Sequence, residues 1–91
     1  MTMTSEQALI LKLLDQRIYW LHNQIRAQDL LSQPVGEGHW RWADLDSSGY
    51  HRKSDERLAA DRERATERVV QYRAEMQVAL SARHIILAAN Q

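Results

Sequence analysis

Residues 32–53 read SQPVGEGHWRWADLDSSGYHRK, and this stretch decides the fold. The chain's one Pro and three Gly (Pro34, Gly36, Gly38 and Gly49) all fall inside it. Both flanks are free of the two strongest helix breakers, so the pattern reads helix, connector, helix. The expected fold is all-α: a long two-helix hairpin, with a helix over 5–31, an irregular Trp-rich connector over 32–53 and a helix over 54–89. The whole chain, 1–91, forms one domain, since 91 residues leave no room for a second.

Upstream of the connector, Thr4 followed by Gln7 matches a capping box, in which threonine oxygen and glutamine side chain satisfy free backbone N–H groups. Leu11, Leu14, Ile18, Leu21 and Ile25 recur at spacings of three and four, one apolar stripe. A second row, Leu9, Leu13 and Trp20, widens it. From Ala8 to Leu14 only Lys12 is polar, so this segment is expected to be covered on more than one side. Downstream, Ser54 can cap, and Asp55 and Glu56 sit where the helix dipole favours negative charge. Leu58, Ala65, Val69, Tyr72, Met76, Leu80 and Leu87 make the facing stripe, broken by Arg62 and Arg83. The span 55–67 is mostly charge and alanine, with Arg57, Asp61, Arg64 and Glu67 spaced for weak intrahelical pairs.

At about 1.5 Å per residue the two helices are roughly 40 and 54 Å long. A hairpin with such long arms buries little, and helix one has more apolar surface than one neighbour can cover. The expected answer is a homodimer forming a four-helix bundle. Its self-association residues are taken as Leu9, Leu13, Ile18, Trp20, Ile25 and Ile86. The first fifty residues carry net −2 and the remainder net +2, a mild asymmetry that favours antiparallel pairing between copies.

The connector is long for a bundle and rich in aromatics, which solvated linkers avoid. Trp, Tyr and Arg dominate interaction hot spots. His39, Trp40, Arg41, Trp42, Tyr50 and Arg52 are therefore the expected contacts for a macromolecular partner. The competing expectation is that Trp40 and Trp42 fold back to cap the hairpin.

Other chemistries have weaker footing. Asp44, Asp46, Ser48 and Asp55, with Gly49, match positions of a calcium loop, but His51-Arg52-Lys53 places positive charge where the cation would sit. An Asx-turn is the plainer reading. No Cys is present, and His22, His39, His51 and His84 lack metal-ligand spacing, so no metal or cofactor is expected. Arg57, Arg62, Arg64, Arg68 and Arg73 could meet nucleic acid, but interleaved acidic residues and a net charge of zero work against it. The run LLDQR, Leu13–Arg17, resembles part of the first helix of the all-helical chorismate mutases. At the place of that family's active-site lysine stands Gln28, and the upstream arginine is missing, so no activity carries over. The turn Trp40-Arg41-Trp42 has Trp where WXG-type helical hairpins have Gly. No basic start precedes the first apolar run and no apolar run reaches membrane length. The expectation is a cytoplasmic, non-enzymatic accessory or regulatory protein.

Overall fold

A computed structural model of the chain describes residues 2–33, 43–46 and 49–91. Helix α1 covers Ser5–Ser32 and helix α2 covers Asp55–Ala89. They lie antiparallel as a rod of 64 × 22 × 16 Å. The radius of gyration is 19.5 Å, against about 12 Å for a compact chain of this length. The helical hairpin is thus present, elongated, with its connector at one tip.

Both helix starts follow from the local sequence. The Thr4 side chain accepts from the Gln7 N–H at 3.0 Å, and the Thr4 N–H donates to Gln7 Oε1 at 3.0 Å. Two N–H groups with no partner inside the helix are satisfied in this way. At α2 the Ser54 hydroxyl accepts from the Arg57 N–H at 3.2 Å, with Asp55 and Glu56 in the first turn. The far end of α1 is closed from α2: Arg62 Nε donates to the Ser32 carbonyl at 3.3 Å.

The connector contains an element that the sequence reading did not anticipate. Ala43–Asp46 (β1) pairs antiparallel with Gly49–Arg52 (β2), with Asp44 opposite His51 and Leu45 opposite Tyr50. The irregular connector is corrected to this extent. Gly and Asp are depleted in strands, and a four-residue ladder offers too short a pattern to read.

The seam between the helices uses the predicted α1 stripe. Leu21 is fully buried, and Leu11, Leu14, Ile18 and Ile25 are half-buried beside it. From α2, Ala65, Val69 and Ala79 are buried, with Leu58, Tyr72, Met76, Ile86 and Leu87 half-buried. Leu80 is a correction: it is 43% exposed, and Ala79 takes the seam position. The small alanine side chain is enclosed there, whereas the larger Leu80 is turned outward. Gln28 is also buried, and its Oε1 has no hydrogen-bond partner among the described residues.

Two stability outcomes follow. Leu21→Ala removes the one large side chain that is fully enclosed among the described residues and should cost about 2–5 kcal/mol, measurable by urea or thermal unfolding. Gln28→Met removes a desolvated acceptor while keeping volume, and should raise stability by about 1 kcal/mol in the same assay.

Candidate functional site

The two sides of the rod differ in chemistry. One side is marked by Arg17 and Glu75, which join across the seam: Arg17 Nε and Nη2 donate to Glu75 Oε2 and Oε1 at 2.5 and 2.8 Å. The guanidinium also lies 4.2 Å from the centroid of the Trp20 ring. Trp20 in turn meets Tyr72 edge to face, with ring centroids 5.5 Å apart and planes at 76°. Side chains three, four or seven residues apart share a helix face. Leu9, Leu13 and Trp20 therefore line the α1 border of this side, and Val78, Ala82, Ile85 and Ala89 line the α2 border. Leu9 is 57% exposed, Leu13 55%, Val78 69% and Ile85 67%. Arg17 and Glu75 are the charged pair that crosses the seam beside these two rows.

The other side carries Asp15 and Arg83, joined at 2.8 Å, and beside them Lys12 and His84. This side has apolar surface too: Ala8, Leu11 and Tyr19 line a groove with Lys12, Asp15 and Gln16, and Ile10, Leu30, Val70 and Leu80 are further exposed apolar residues outside the two rows.

Of the self-association residues expected from sequence, Leu9, Leu13 and Trp20 lie together on the apolar side. Ile18, Ile25 and Ile86 instead sit half-buried within the hairpin's own seam. Sequence reading missed the α2 contribution, Val78, Ala82 and Ile85. Their spacing of four and three was legible, but the more regular stripe ending in Leu87 masked it. It also missed Arg17, Glu75, Asp15 and Arg83 as cross-helix pairs; opposite charges flanking the two stripes were the available signal.

The partner-contact candidates divide differently. His39, Trp40, Arg41 and Trp42 lie outside the described residues. Tyr50 and Arg52 fall on β2. The connector's two ends are tied to the rod at one place: Arg62 reaches back to Ser32, and Lys53 Nζ meets Asp61 Oδ2 at 3.2 Å. Asp61 also accepts from Arg64. The calcium-loop candidates Asp44 and Asp46 sit in the paired strand β1, Asp55 opens α2, and Ser48 lies outside the described residues. An extended ladder is not the coiled twelve-residue loop that gathers ligands around a cation. Among the described residues no group of three or more His, Asp or Glu is placed to hold a metal ion. Nor, among those residues, is any helix long and apolar enough to cross a membrane. The solvent-accessible surface totals 7017 Å², against about 5,500 Å² for a compact monomer of this mass.

No protein-family model matches this chain, and neither a curated protein nor a solved structure shows significant similarity to it.

Two carboxylates are electrostatically tuned. Hydrogen bonding from Arg17 is the main influence on Glu75 and holds its carboxyl below the usual range, against a smaller opposing effect of burial. At Asp61, burial pushes the carboxyl up, but hydrogen bonds and charge from Lys53 and Arg64 together hold it down. Depressed carboxylates stabilise the fold above their unfolded values, about 3.9 for Asp and 4.3 for Glu, and that contribution is lost as pH falls through the folded ones. Stability should therefore decline below about pH 4, with the decline shallower in Glu75→Gln and Asp61→Asn. Urea midpoints measured at several pH values check this.

Proposed function

We propose that this chain is a small non-enzymatic interaction protein. It self-associates through the apolar side of its helical hairpin and presents the aromatic connector to a protein partner. The observation that carries this reading is the pair of exposed apolar rows, Leu9 and Leu13 on α1 and Val78 and Ile85 on α2, on a hairpin with so little enclosed apolar volume. Such a surface is costly in water and marks an interaction site. The connector adds a second argument. Its Trp, Tyr and Arg content is that of an interaction hot spot, and the contacts from Arg62 and Lys53 hold its two ends at one tip of the rod.

Light scattering behind a sizing column, over a dilution series, tests the first part. The expected mass is twice 10.6 kDa at micromolar concentration. Leu13→Glu, at a position already half in water, should shift the mass toward one chain with helicity retained at temperatures below the transition. The Trp40→Ala/Trp42→Ala double variant tests the second part. It should keep the wild-type mass and helicity and lose capture of the partner. Unfolding of that variant would place the tryptophans in the core and remove the reason for calling the connector a binding element.

A further inference from the structure

We propose that the two copies are related by a two-fold axis running along the rod, so that α1 of each copy lies over α2 of the other and both connectors emerge at the same tip. This rests on the self-association reading above and specifies which contacts make it.

Two face-to-face arrangements are open to a pair of such rods. An axis across the rod stacks α1 on α1 and α2 on α2, with the connectors pointing apart. An axis along the rod stacks unlike helices. The residues on the apolar side favour unlike stacking. The α1 row is bulky, Leu9, Leu13 and Trp20, and the α2 row is slimmer, Val78, Ala82, Ile85 and Ala89. Like-on-like stacking crowds Leu and Trp against themselves and leaves alanine facing alanine. Unlike stacking sets large against small, as close packing requires.

The register agrees. Arg17 is level with Glu75 and Trp20 with Tyr72. Stepping along the antiparallel helices brings Leu13 level with Ala79 and Leu9 level with Arg83. In the unlike arrangement Leu13 of one copy then enters between Val78 and Ala82 of the other, and Leu9 enters between Ala82 and Ile85. These are the knobs and holes of a bundle.

Charge gives an independent argument. With the axis along the rod, Arg17 of each copy faces Glu75 of the other at the same level as the pair within the chain. Four charges of alternating sign close into a ring. With the axis across the rod, centred on the apolar rows, Arg17 is carried toward the N-terminal part of the other α1 and away from both copies of Glu75. Area supports the self-association on which either arrangement rests. The surface exceeds that of a compact monomer by about 1,500 Å², enough to supply the roughly 800 Å² per partner of a stable interface.

The test uses two full-length variants, Arg17→Glu and Glu75→Arg. Each breaks the exposed pair within its own chain, a small loss for the fold. Each alone places four like charges in the ring, so each should dimerise at least tenfold more weakly than wild type by analytical ultracentrifugation. Mixed in equal amounts, they should form a heterodimer near wild-type affinity. The acid introduced at position 17 of one chain then faces the base introduced at position 75 of the other. The unchanged Arg17 and Glu75 likewise meet only between chains. Neither chain repairs its own pair on mixing, so recovery reports the intermolecular contact. Wild-type dimers without weakening in the variants, or weakening without recovery on mixing, would overturn the axis along the rod while leaving self-association in place. A wild-type chain that stays monomeric across the concentration series would overturn both.

Discussion

The structure depends on a shortage of enclosed apolar volume between two long helices. With 28 and 35 residues they bring many side chains to the seam, yet among the described apolar residues only Leu21, Ala65, Val69 and Ala79 are buried. A two-helix layer has an inside only along one line. Everything a turn away from that line, on either helix, has a face in water. Chains of this size bury roughly 60–65% of their unfolded surface when compact, and a rod buries less. Elongation, half-buried seam residues and a row of exposed Leu, Val and Ile are therefore one fact seen three ways.

Polar contacts do what the thin seam cannot: they set the register. Arg17–Glu75, Asp15–Arg83 and Arg62 to the Ser32 carbonyl cross between the helices at separate levels. Their partners are close to half exposed where both side chains take part, so each contributes little to net stability. Their value lies in excluding a slip of one turn, which would separate every pair together. Trp20 over Tyr72 works in the same direction with more buried surface. Gln28, an acceptor buried in the same seam, adds cost without a visible bond, which fits a surface chosen for alignment more than for strength.

How legible this was in the sequence varies by element. The Thr4–Gln7 and Ser54 caps could be read because a cap is a local hydrogen-bond pattern fixed by three or four residues. The α1 stripe could be read because Leu and Ile at regular spacing leave one orientation that buries them. The α2 seam was harder. Ala65 was read as facing inward and does so, but Ala79 was not, because alanine carries no periodic signal of its own and its larger neighbour Leu80 looked the better choice. Ile18, Ile25 and Ile86 look equally fit for either of two apolar jobs, and only the position of the neighbouring helix assigns them to the hairpin's own seam. The paired strands escaped notice because Asp, Gly and His supply their register with hardly a β-branched residue.

In the function proposed above, the position of the apolar rows relative to the connector links assembly to recognition. Leu9, Leu13, Val78 and Ile85 belong to the half of the rod that holds both chain termini, and the connector is at the opposite tip. A self-interface placed there leaves the connector half uncovered. With the two-fold axis along the rod, a second connector stands beside the first, within about the width of two hairpins. A partner that meets one connector then meets the other at high effective concentration, so two modest contacts combine into a strong one. An axis across the rod sends the connectors apart, and the same two contacts act one at a time. In the proposed assembly, the geometry of a small apolar seam far from the connector thereby decides between one and two partner contacts, without any change in the connector itself.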